Sequence, residues 1–214
     1  MQSKMLKKPW DSIDPNEVGM ETTPLFTTPF SQENLTINNN SLMKYAYKKA
    51  GPNNQSSHLN LHDKELANLL EAVNLHCKKL TMLWGLVEDC EIKVNQAWLN
   101  VTRPLEHPQN INETHMHPRH FTACVYYIKA DQNCGDLVLF PPAQTTEYAL
   151  PPKLVGMGNE FNGTRYTVTP KEGMLISFPG WINHQVKDNF SNNDRISIAF
   201  NCDLSGSALD NPTL

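Results

Sequence analysis

The chain has 214 residues, 39% hydrophobic and 19% charged, so it can bury one sizeable core and still carry an extension. Lys plus Arg is 18 against 22 Asp plus Glu, a formal charge of −4, which leaves no surplus of cations for a phosphate backbone or an anionic lipid surface; neither nucleic acid nor membrane is expected as a partner. The start MQSKMLKKPWDSIDP lacks the apolar run of a secretory signal, and no stretch approaches the roughly 20 apolar residues of a spanning helix, so a soluble, cytoplasmic protein is expected.

Residues 1–35 carry Pro9, Pro15, Pro24 and Pro29 without sustained periodicity and read as an extended N-terminal arm, with TPLFTTPF (23–30) as the part pinned to the rest. Residues 36–214 read as a single domain. A short helix is expected over about 40–50, ended by Gly51. From Asp63 to Leu83, apolar residues at 66, 69, 70, 73, 80 and 83 follow the spacing of one helical face, with Asp63 placed to cap it and Gly85 to end it. After Gly85 the pattern changes to short β-prone runs: 92–101, 122–130, 136–140, 165–169, 173–178 and 195–201. Runs of this kind, separated by Gly, Pro, Asn and Asp, predict a mainly β (α+β) protein, an antiparallel sandwich or jelly roll with supporting helices before it. The long gap over about 142–164 holds Pro151, Pro152, Gly156, Gly158 and Gly163 and has the length of a lid or binding loop. Five cysteines, an odd number without C-x-x-C spacing, read as reduced thiols.

Four of eight histidines, His107, His115, His117 and His120, fall within fourteen residues. Two histidines two apart on a strand project to one face, so His115 and His117 could grip one metal ion. Taken alone, an H-x-H pair is weak. Downstream, a strand and a Pro-Gly turn precede His184, and Arg195 follows eleven residues later at the head of RISIAFN. A distant histidine on a neighbouring strand would complete a metal site that a paired motif begins.

The order H-x-H-P, then VYYI, then GDLVLFP, then EGMLISFPGWINH, then RISIAFN is similar to that of the Fe(II)- and 2-oxoglutarate-dependent oxygenases with a double-stranded β-helix (jelly roll) core. Within them it resembles the prolyl-hydroxylase-like branch, and in texture a group of oxygenases common in phage genomes; a phage-encoded member would act in the host cytoplasm. The resemblance covers about residues 92–203. It implies an Fe(II)/2-oxoglutarate-dependent dioxygenase that consumes O2, releases succinate and CO2, and hydroxylates a peptidyl (for example prolyl) or small-molecule substrate. By position it makes His115, His117 and His184 the iron ligands. It also makes Arg195, Tyr127 and Ser197 the groups at the far carboxylate of 2-oxoglutarate. A guanidinium suits that task because its planar, permanently charged fork can hold a carboxylate through two bonds. Trp181, three residues before His184, is a candidate substrate contact, and Trp98 and Asn100 share a strand face beside the ligand segment.

The superfamily ordinarily has Asp or Glu where His117 stands, so three imidazoles would make a more positive centre than two histidines and a carboxylate. Glu113 and His120 are the local substitutes. Two other readings stay open at this level: a cupin-type three-histidine metal dioxygenase, and a non-catalytic jelly-roll binding protein. Neither the substrate nor the oligomeric state is readable from these residues.

Overall fold

The computed structural model describes residues 27–50, 57–105, 113–142 and 163–206. In chain order these form β1 (Ser31–Asn34), α1 (Asn39–Ala50), β2 (Ser57–His58), α2 (Ala67–Leu83) entered through a 3-10 turn at Lys64–Leu66, β3 (Glu91–Thr102), β4 (Thr122–Lys129), β5 (Leu137–Leu139), β6 (Tyr166–Val168), β7 (Met174–Pro179), β8 (His184–Val186) and β9 (Arg195–Ser205). All strand pairings are antiparallel. A six-stranded sheet runs β1-β7-β4-β9-β3-β2, and a three-stranded sheet runs β6-β5-β8. This is the two-sheet jelly roll that the sequence pattern predicts, with α1 and α2 packed on the large sheet.

The period of two along each strand decides what each face touches. On β3, Ala97, Leu99 and Val101 are buried, and on β9 Ile196, Ile198, Phe200 and Cys202 are buried; these join Leu66, Leu69, Val73, Cys77 and Leu80 of the helical segment in one core. The alternate residues of the same strands look toward the small sheet. There Ala123, Tyr127, Ile176 and Phe178 of the large sheet meet Leu137, Leu139 and Val168 of the small one. The register aligns side chains of that inner face in rows: Trp98, Ala199, Val125 and Ile176 in one, and Asn100, Ser197 and Tyr127 in the next. Thr102 then pairs with Arg195.

Three local expectations are modified. Residues 31–34, read as part of the arm, form β1 on the edge of the large sheet, with Ser31 opposite Ser177. Asp63 stands at the head of the helical segment but makes no side-chain cap. Its carboxylate instead accepts from Tyr45 Oη at 2.6 Å and pairs with Lys49 Nζ at 2.8 Å, two stronger partners than a backbone amide. Leu83 is 61% exposed, because the buried stripe of α2 runs through Leu69, Val73, His76, Cys77 and Leu80. Gly85 ends the helix at φ +62°, a left-handed conformation that glycine adopts freely. All five cysteines are free and buried. Residues 1–26, Gly51, His107 and residues 143–162 of the expected lid lie outside the described residues.

Candidate metal centre

β8 is only three residues long, and its first residue, His184, makes a reciprocal antiparallel bridge with His115. The His115 amide donates to the His184 carbonyl at 3.0 Å, and the His184 amide donates to the His115 carbonyl at 2.8 Å. Two residues on, the His117 amide donates to the Gly180 carbonyl at 2.8 Å, which ties the histidine segment to the Pro-Gly turn. Glycine is required at 180 by close approach, since a Cβ there would overlap the His120 carbonyl oxygen. His115 and His117 therefore sit not on a regular strand but on a segment stitched at two points to the 180–184 stretch.

The stitching brings one ring nitrogen of His115, His117 and His184 within 4.8 Å of one another. His117 Nε2 lies 3.3 Å from His184 Nε2. The rings of His117 and His184 are stacked at 5.0 Å, and that of His115 lies 4.3 Å from His184. Phe178 packs edge-on against His184 at 4.9 Å, and Trp98 lies against His117 at 5.5 Å. The alternatives weighed from sequence turn elsewhere. His120 Nδ1 donates to Asp203 Oδ1 at 2.8 Å, and Glu113 contributes its backbone carbonyl to His115 rather than its carboxylate to the cluster.

The donor chemistry fits a divalent transition metal. His115 Nδ1–H donates to the Glu113 carbonyl and His184 Nδ1–H to the Ile182 carbonyl, both at 2.9 Å, which leaves each Nε2 as a lone pair. Burial lowers His184 and His117 from the ordinary histidine value to about 4, with the neighbouring imidazoles adding to the effect. Both rings are thus neutral, as ligands must be. Two ring nitrogens turned toward each other across 3.3 Å share a proton or a cation.

On the inner face beyond Trp98, the Arg195 guanidinium is 3% exposed. Its Nη1 donates to the carbonyls of Cys134 (2.6 Å), Lys187 (3.0 Å) and Gly135 (3.2 Å), and its Nη2 to Thr102 Oγ1 at 3.1 Å. The turn presenting two of those carbonyls holds Asn133 at φ +64° and Gly135 at φ +95°. A Cβ on Gly135 would come within 2.6 Å of Arg195 Nη1. These hydrogen-bond partners are neutral, and the nearby Asp188 carboxylate acts on the guanidinium through its charge. Tyr127, beside it on the interior, is fully buried, and its phenol is pushed well up by burial, so it remains a neutral group. Tyr126 points the other way and donates to Asn39 Oδ1 at 2.6 Å, as alternation along β4 requires.

Trp181 is 42% exposed. With Met116, His117, Phe121, Arg119 and Asp203 it lines a surface groove of about 620 Å³. Sequence reading missed Thr102, Gly135 and Asn201. Thr102 could have been found as the next inward residue after Trp98 and Asn100. Asn201, 5% exposed, continues the inward series of β9, and its Oδ1 has no partner among the described residues.

A protein-family model described as "Putative 2OG-Fe(II) oxygenase" matches residues 96–201. That span contains His115, His117, Tyr127, His184, Arg195 and Ser197. Residues 96–201 belong to the Fe(II)- and 2-oxoglutarate-dependent oxygenases. The enzyme is a dioxygenase of that class, which uses Fe(II), 2-oxoglutarate and O2, and this sets aside the cupin-type and non-catalytic readings. No curated protein matches the chain. Among solved structures, a Pseudomonas putida prolyl-4-hydroxylase is 16% identical at TM-score 0.53, over 83% of this chain and 94% of that one. A viral collagen prolyl hydroxylase from Paramecium bursaria Chlorella virus-1 is 11% identical at TM-score 0.51, over 86% and 99%. The carbocyclase SnoK from nogalamycin biosynthesis is 9% identical at TM-score 0.55, over 82% and 79%. At these identities the likeness establishes the jelly-roll fold. Among the described residues no helix is long and apolar enough to cross a membrane.

Proposed function

We propose that this oxygenase holds Fe(II) with His115, His117 and His184 and receives the far carboxylate of 2-oxoglutarate at Arg195, with Tyr127 and Ser197 beside it. The observation that carries the reading is the space between the two sheets: three clustered imidazoles, with His184 on the small sheet, at one end, and a buried guanidinium on β9 of the large sheet with neutral hydrogen-bond partners at the other. A buried cation with such partners favours an anion, and a dicarboxylate reaching from the metal supplies one. When bound, the metal and cosubstrate supply the oxidising power that hydroxylates substrate, with succinate and CO2 as coproducts. The chain's own part is positional. The Nδ1 bonds of His115 and His184 fix their rings, the four acceptors around Arg195 fix the fork, and Phe178, Ile176 and Val125 keep the interior dry.

The substrate is a peptidyl or small-molecule group that enters beside Trp181 and His117. The groove is open and part aromatic, which favours a substrate with an extended apolar portion. The test is an anaerobic titration of the Fe(II)-loaded protein with 2-oxoglutarate, followed by the visible metal-to-ligand charge-transfer band. The band is expected in the parent protein and absent in Arg195→Ala at the same cosubstrate concentration. Iron binding without any band would overturn the reading.

A further inference from the structure

A second cluster of metal-ligating atoms lies on the opposite face of the large sheet. Cys77 of α2, Cys124 of β4 and Cys202 of β9 bring their sulfurs within 4.8 Å of one another, and all three side chains are fully buried. The Cys77 and Cys202 sulfurs are 3.7 Å apart across 125 residues of sequence, and those of Cys124 and Cys202 are 3.8 Å apart across 78. Three thiolates bound about 2.3 Å from one ion lie roughly 3.8–4.0 Å from each other. The preformed spacing is therefore close to that of a trigonal or tetrahedral sulfur site, and nothing in the oxygenase reaction uses it.

We propose that Cys77, Cys124 and Cys202 form a structural site for one thiophilic ion, zinc or cuprous copper, distinct from the histidine centre. Three soft ligands select such ions over Fe(II). Coordination replaces three S–H bonds with three metal–sulfur bonds and releases three protons to solvent. Because the site is sealed beneath α2, the ion enters as the helix docks on the sheet and then joins three elements distant in sequence. The site is a staple for the face that supports the oxygenase centre.

The test uses the full chain carrying His115→Ala, His117→Ala and His184→Ala together, so that the histidine centre cannot contribute. The chain is produced in medium supplemented with zinc or, separately, with copper. About one ion per chain is expected after gel filtration, with an X-ray absorption spectrum showing a sulfur-only shell at about 2.3 Å. The same metal measurement on the parent chain, where sulfur scatterers are distinguished from nitrogen, keeps the test valid if the triple variant fails to fold. Adding Cys202→Ala should abolish the sulfur shell and the retained ion. Chains that fold without either metal, or that hold metal only through nitrogen and oxygen, would overturn the proposal.

Discussion

The two faces of the large sheet are made by the same strands yet differ in kind. On the helix-covered side, Leu99, Ile198, Phe200 and Tyr126 make an apolar core against α1 and α2. On the side facing the small sheet, the alternate positions of β3, β4 and β9 are Trp98, Asn100, Thr102, Tyr127, Arg195, Ser197 and Asn201. One strand such as β9 thus carries scaffold and chemistry interleaved at a spacing of two. The lesson is that strand alternation separates stability from function without separating them in sequence, so single substitutions on neighbouring residues should have unlike effects.

The sharpest break is His184→Ala, which should abolish iron retention while leaving the helix-covered core intact; metal analysis after desalting reads this directly. His117→Ala should do the same and Glu113→Ala should not, and the reverse pattern would move the third ligand. On the opposite face, Phe200→Ala should cost about 3–5 kcal/mol of stability in a denaturant titration, with cosubstrate affinity of the folded fraction unchanged. Its neighbour by five residues, Arg195→Ala, should behave inversely, with iron kept and 2-oxoglutarate binding weaker by about 2–4 kcal/mol in a calorimetric titration. Gly135→Ala forces a Cβ into a left-handed turn and against the guanidinium, so a loss of about 1–3 kcal/mol is expected, together with several-fold weaker cosubstrate binding.

The smallest effect concerns pH and metal-free protein. His117 and His184 bind protons less readily when folded, at about 4 against 6.5. The folded state therefore holds fewer protons than the unfolded one between those values, and its stability falls as pH drops from 6.5 toward 4. Thermal melts of apo-protein across that window should show the decline. In the His117→Ala, His184→Ala double variant it should flatten.

Much of the architecture was legible because it rests on local periodicity. The runs at 92–101, 122–130, 173–178 and 195–201 became β3, β4, β7 and β9, and the two helices fell where their apolar stripes lay. The strands that escaped, β1, β2 and β8, are four, two and three residues long and, unlike the equally short β5 and β6, do not lie within a β-prone run. Asp63 was misread as a cap because its competing partners, Tyr45 and Lys49, are far from it in sequence.

By itself the sequence determined the sheet-rich class, the order of motifs that marks the oxygenases, and the candidates His115, His117, His184, Arg195 and Tyr127. The class follows from residue type and spacing along one strand at a time, and the candidates from the resemblance that the order of motifs carries. Tertiary structure alone decided that His117, and not Glu113 or His120, turns its ring toward His184 across 67 residues of sequence. It also decided that Arg195 is braced by the 134–135 turn, and that three cysteines meet beneath α2. Those outcomes depend on strand register and on how sheet and helix stack, and no local pattern encodes a contact between residues that meet only when the whole chain closes.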